Sequence, residues 1–346
     1  MTAVDANQTD NRGWAGRYLE DRFPEYPAQY PNAEMEDPLA IQIGYLTSTT
    51  LLGNQQSMGI AINDPDSFYQ LVSRDFSPAT GDLVAHIRKQ QVLSIGYAAE
   101  IKAAADAGTN LATYPTASAN NSLADQLKIV ARLIHGGLKT KIYFVSLSGF
   151  DTHASQVGFS DSSVGQHATL LSKLSTAIAT FQQDLHLQGI EDKVVGMTFS
   201  DFGRRATSND SKGTDHGVAA PMFVFGTAIK RQTVGHNPDL TNGLLPVDPM
   251  PWETYRNIAM QIDFRRVYTD VLNDWFGTQA TTTDTLLFRN FTTISLFSDV
   301  IETVASGRWD NPNVWTAGRP PFANEYVRIN TGRCRSLPPS QCGISR

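Results

Sequence analysis

Three short clusters hold the residues best suited to chemistry: Phe150-Asp151-Thr152-His153, Ser200-Asp201-Phe202-Gly203-Arg204 and Gly213-Thr214-Asp215-His216-Gly217. Carboxylate and imidazole are the ligands that zinc, manganese and iron accept. A divalent ion with an open position then serves as a hydrolytic centre. Asp151 and His153 are two residues apart on a strand-to-loop turn, so both side chains can reach one point. Read equally well, Asp151 is a turn residue with a histidine nearby. Asp201 is a second candidate carboxylate ligand, and the forked donors of Arg204 suit a phosphate, sulfate or carboxylate. The alternative is a helix capped by Ser200 or Asp201, with Arg204 in an ion pair. His216 sits in a glycine-flanked loop, where the backbone can approach a ligand closely. It is a candidate ligand or general acid–base. Asp215 is either a turn residue or the carboxylate that orients His216. His167, at the start of a long helix, either turns back towards the strand-end cleft or is a surface residue, the second being the preferred reading. His86, His135, His186 and His236 have no constellation around them.

Elements that can position these clusters are visible in the pattern. The run Lys141–Leu147 is continuously apolar and rich in β-formers, which predicts a strand buried on both faces. Val164–Leu187 carries Leu170, Leu174, Ile178, Phe181 and Leu185 at helical spacing. Lys193–Phe199 and Pro221–Phe225 read as further strands. Strand, helix, strand predicts a parallel sheet with helical crossovers, and ligands bind beyond the carboxyl ends of such strands. Asp151 and Asp201 both fall there. Other predicted helices are Trp14–Asp21, the capped start Asp64–Val72, an alanine-rich stretch over 81–107, Ser122–His135, Asp263–Phe276 and a segment near Ser295–Ser306. The expectation is an α/β fold with a mostly parallel central sheet flanked by helices. It comprises an irregular segment 1–60, a core over 61–306 and a Pro/Gly-rich tail over 307–346.

Composition narrows the function. A chain of 346 residues with 41% hydrophobic and 18% charged residues is ordinary for a globular protein. A net charge of -6 with scattered basic residues argues against a nucleic-acid surface. No apolar run reaches membrane-spanning length, and the polar segment Met1–Arg12 is not a signal peptide. Glycine fingerprints for phosphate loops, dinucleotides and a Gly-x-Ser-x-Gly elbow are absent. Cys334 and Cys342 lie in the tail, as a small disulfide loop in an oxidising compartment or as two free thiols.

Several ordered motifs carry a family likeness. These are Gly13-Trp14-Ala15-Gly16-Arg17-Tyr18-Leu19, Gly149-Phe150-Asp151-Thr152-His153, His167 and the helix ending Phe181-Gln182-Gln183-Asp184-Leu185. Ser200–Arg204, Asn209, Gly213–Gly217, Asp263-Phe264-Arg265-Arg266-Val267-Tyr268 and Trp275 follow. In this order they resemble the domain of unknown function 1501 family over about residues 12–300. The family is bacterial, often exported by the twin-arginine route, and grouped with the alkaline phosphatase and sulfatase superfamily. The resemblance implies that Asp151 and His153 share one divalent metal (Zn, Mn, Fe or Ca) and that His216 completes that site. Asp201 would be a second-metal carboxylate. Phe202 stands where phosphatases carry a metal-binding histidine.

Family members also carry a longer segment before the Gly-Trp motif, with a first sheet strand and a Gly-Gly-x-Asp-Gly stretch. The chain here starts just before Gly13-Trp14. The implied consequences are an open sheet edge, one ligand fewer and no nucleophilic Ser or Thr that can be named. The expected function is a metal-dependent hydrolase of a small anionic phosphate or sulfate ester. Its metal ligands would be Asp151, His153, Asp201 and His216, and its catalytic residues His216 and Arg204. The alternative is a non-catalytic envelope protein that keeps the fold for binding or structure. The protein is expected in the periplasm or outside the cell if the full-length gene carries an export signal.

Overall fold

A computed structural model describes residues 11–54, 56–72, 96–245, 257–298, 301–305, 307–316, 319–321 and 327–328. Cys334, Cys342, His86 and residues 81–95 of the alanine-rich stretch lie outside the described residues. The fold is mixed α/β. Its parallel sheet has, among the described residues, three strands: β1 (Ala40–Ile43), β2 (Ile60–Ile62) and β3 (Ile142–Phe144). They lie in the order β2-β1-β3, with Ile41 opposite both Ile60 and Tyr143. The central strand therefore comes from the segment that composition marks as irregular. Its apolar run is only Leu39–Ile41 plus Ile43, all buried, inside a Pro- and Asn-rich stretch that hides so short a pattern.

The four helices Trp14–Arg22, Pro65–Val72, Ser122–His135 and Gln166–Leu187 follow their sequence signals to within two residues at each end. In α1 (Trp14–Arg22), Trp14 stacks on Tyr268 with ring centroids 4.5 Å apart. Arg17 is buried and reaches across the chain to donate to the Leu286 carbonyl at 2.7 Å. A Cβ at Gly16 would lie 2.1 Å from the Leu52 carbonyl oxygen, so only glycine lets α1 seat this closely. The Gly-Trp-x-Gly-Arg motif is thus a packing device. Helix α2 (Pro65–Val72) starts where Asp64 accepts from the Asp66 and Ser67 amides, and α3 spans 96–107. In α4 (Ser122–His135), Asn121 caps the first turn by accepting from the Ala124 amide at 3.3 Å, and Leu123, Leu127 and Val130 are buried.

Helix α5 (Gln166–Leu187) packs along α4. Phe181 and Leu185 are buried, whereas Leu170, Leu174 and Ile178 are only half-covered, so the half of α5 nearest the site is the more open. Asp184 is fully buried in α5 and accepts from the Leu111 and Ala112 amides, tying the 110–112 loop to the helix.

Several expectations are corrected. Ile142–Phe144 is half-exposed rather than buried on both faces, because the described sheet pairs it with β1 alone. The strands β4 (Gly196–Met197) and β7 (Val224–Phe225) pair antiparallel, with Gly196 opposite Phe225. Between them the chain makes a β-hairpin of β5 (Gly203–Arg204) and β6 (His216–Gly217) instead of a helical crossover. Without a crossover, the returning strand must run antiparallel. A two-stranded antiparallel pair, β8 (Leu244–Leu245) and β9 (Asn257–Ile258), follows.

Helix α6 (Phe264–Asp270) continues into a π-turn over Val271–Trp275, and α7 (Ala280–Leu286) comes next. Of the segment expected as a helix near Ser295–Ser306, the described residues 295–298 and 301–305 form no helix. Leu296 is held by the buried Asp270 carboxylate, Phe297 bridges to Ile229, and β10 (Ile301–Glu302) pairs with β11 (Val327–Arg328). No helix among the described residues is long and apolar enough to cross a membrane.

Candidate metal centre

The chain leaves β3, passes Gly149 and turns at Phe150–Gln156. Here Asp151 and His153 come to lie against His216 on β6. One ligand atom from each of Asp151, His153 and His216 lies within 4.8 Å of the others, and all three residues are exposed. His216 and Asp151 are 65 residues apart in sequence, yet His216 Nε2 stands 2.7 Å from Asp151 Oδ1. The same oxygen is 3.1 Å from His153 Nε2 and 3.4 Å from the Arg204 guanidinium. The His216 hydrogen bond, then the charges of His153, His216 and Arg204, hold the Asp151 carboxyl below the usual carboxylate range.

The donor set fits a divalent ion. Atoms bound to one ion at about 2.0–2.2 Å stand roughly 3–3.5 Å from each other. The spacings around Asp151 Oδ1 are already within a few tenths of an ångström of that. One carboxylate and two imidazoles suit zinc, manganese or iron, and the exposure of all three residues leaves room for an outside ligand.

The hairpin sets this arrangement. Arg204 on β5 pairs in register with His216 on β6. Its NH1 donates to the Thr214 carbonyl at 2.6 Å, and its NH2 donates to the Phe150 carbonyl. Arg204 therefore braces the Asp151 loop against the His216 strand. The guanidinium, expected to clamp a substrate anion, is committed to these carbonyls and is largely buried. Phe202 stacks flat on the His216 ring, centroids 4.0 Å apart at 6°, and fixes the imidazole plane. The Phe202 ring thus serves as a platform for the His216 imidazole.

Asp215 faces His153, not His216. Its Oδ1 lies 3.3 Å from His153 Nδ1 and accepts from Asn209 at 3.2 Å, and its Oδ2 lies 3.4 Å from Arg205. The Asn209 hydrogen bond first, then that of His153, lowers the Asp215 carboxyl below the usual range. Asn209 also donates to the His153 carbonyl at 2.9 Å. A Cβ on Gly213 would fall 2.2 Å from the His153 backbone, so a glycine is required where the two loops touch. The Thr152 and Thr214 hydroxyls both donate to Gln156, at 3.1 and 2.8 Å, and lock the loops together. Gln156 carries no motif that would single it out in the sequence, whereas Asp215 is flagged by its place beside His216.

Asp201 is exposed at the head of the hairpin and does not belong to the three-residue group. Its charge instead acts on the buried Tyr268 hydroxyl, whose pKa is raised mainly by burial and further by Asp201. His167 meets Phe150 edge to face, 6.2 Å between centroids, on the side of the loop that packs against α5.

No curated protein and no solved structure matches the chain. One family model does match, that of the protein of unknown function DUF1501. Its match over residues 76–287 includes all of Asp151, His153, Asp201, Arg204 and His216, and the chain belongs to this family.

Proposed function

We propose that the protein is a metal-dependent hydrolase of a phosphate or sulfate ester, with an arrangement akin to the alkaline phosphatase superfamily. The observation that carries this reading is the convergence of Asp151, His153 and His216 on one exposed point. These three residues would hold a divalent ion. Bound there, such an ion would polarise an ester oxygen and make a coordinated water more acidic.

The surrounding residues have separable tasks. Phe202 and Arg204 hold His216 and the Asp151 loop in place. Asp201, exposed beside Phe202, assists as a second carboxylate at the margin of the site. The hydroxyls of Thr152 and Thr214 are turned to Gln156, which favours water over either side chain as the attacking group.

A binding module without catalysis is the second reading. It is favoured by a cavity of about 440 Å³ that runs along α5 beside Asn121 and Lys173 and is lined by none of the three ligand residues. The test is metal analysis of chelator-treated protein reloaded with Zn, Mn, Fe or Ca, followed by aryl phosphate and aryl sulfate hydrolysis. Near-stoichiometric metal and ester cleavage, both lost in His216→Ala, are expected. Unchanged metal content in His216→Ala refutes the ligand assignment. Metal without ester cleavage turns the reading to the binding module.

A further inference from the structure

The geometry points to Asp215 as a positioning residue that fixes the tautomer and basicity of His153; this rests on the metal-centre reading above. A carboxylate only accepts, so its contact with His153 Nδ1 places the proton on that nitrogen. In the neutral imidazole that binds a metal, the lone pair is then on Nε2, the nitrogen that stands 3.1 Å from Asp151 Oδ1 within the ligand group. Nearly half of the His153 side chain is exposed, so packing alone does not hold the ring.

Asp215 is itself held from three sides. Asn209 donates to Oδ1, Arg205 faces Oδ2, and the Arg205 amide donates to the Asp215 carbonyl at 3.0 Å. Asn209 is fixed in turn by accepting from the Ser211 and Gly213 amides, each at 3.0 Å. The two histidines are thus oriented by different means. His216 is set by ring stacking on Phe202, and His153 by a carboxylate behind it. A carboxylate donating electron density through an imidazole strengthens that imidazole as a ligand, and its loss weakens metal binding about 10- to 100-fold in comparable sites.

The experiment uses the full chain loaded with Co²⁺. Affinity is measured by chelator competition, and the exchangeable ring N–H protons of the ligating histidines are observed as paramagnetically shifted resonances. Asp215→Ala should bind Co²⁺ about 10- to 100-fold more weakly and lose the His153 N–H resonance to solvent exchange, with the melting curve of the metal-free protein little changed. Asp215→Asn keeps an acceptor oxygen but not the charge. It should retain the resonance and bind about tenfold more weakly, the lower end of that range. Wild-type affinity in either variant, or a persistent resonance in Asp215→Ala, overturns the inference while leaving the metal centre standing. Absence of Co²⁺ binding in the wild-type protein removes the metal reading and this inference with it. Should Asp215→Ala fail to fold, the affinity of Asp215→Asn decides alone.

Discussion

Asp184 belongs to the family motif at the end of α5, yet its contacts predict a structural task that can be measured. It is fully buried and accepts four hydrogen bonds: Leu111 N at 2.6 Å, Ala112 N at 3.0 Å, Asn110 Nδ2 at 2.8 Å and Gln188 Nε2 at 3.1 Å. In Asp184→Ala the two side-chain donors keep second acceptors, Asn110 on the Lys128 carbonyl and Gln188 on the Thr109 carbonyl. The Leu111 and Ala112 amides lose theirs. Hydrogen bonds to a charged acceptor are worth about 1.5–3 kcal/mol each. Two of them give about 3–6 kcal/mol, and because Leu111 is 52% exposed, water can replace part of the loss, which favours the lower end.

The expected destabilisation is therefore about 3 kcal/mol for Asp184→Ala and about 1–2 kcal/mol for Asp184→Asn, which keeps one acceptor oxygen. Urea unfolding followed by circular dichroism measures both. Metal affinity of the folded variants should match wild type, since no atom of Asp184 enters the centre. A loss below about 1 kcal/mol in Asp184→Ala would refute the hydrogen-bond argument. A selective loss of metal with stability intact would refute the division between scaffold and site.

Two further predictions concern the support of His216 and the acid stability of the fold. Phe202→Ala removes the ring stacked on His216; aromatic stacking is worth about 0.5–1.5 kcal/mol, so metal affinity should fall about 2- to 12-fold, read by chelator competition. Burial raises the pKa of Asp263, but its contacts to Arg265, at 2.7 and 3.0 Å from the guanidinium and 2.9 Å from the amide, outweigh this and leave it lowered. A lowered folded pKa stabilises fully above the unfolded value of about 3.9 and is lost as pH falls through the folded value. Asp263→Asn should flatten that part of the stability profile below about pH 4 in urea titrations, and an unchanged acid slope would contradict it.

Local pattern was enough for the elements that local physics controls. The 3.6-residue period and the Asn121 cap delimit Ser122–His135, and Asp64 with Pro65 marks the start of α2. The two-residue spacing of Asp151 and His153 at a strand exit makes a shared ligand point legible, because a turn brings such neighbours together without help from the rest of the chain. The strands Ala40–Ile43 and Ile60–Ile62 are too short for a period-2 signal, and only pairing with each other and with β3 makes them strands.

The tertiary structure decided which distant groups meet. That His216 joins Asp151, that Asp215 backs His153 and not its neighbour His216, and that Arg204 bridges two loops all depend on the β5–β6 register. A one-residue slip of β6 against β5 would turn His216 to the opposite face from Arg204 and the Asp151 loop. Asp201, equal to Asp151 in sequence appearance, stands outside the ligand group. Residue types and short spacings state which chemistry is possible; long-range register decides which atoms can carry it out.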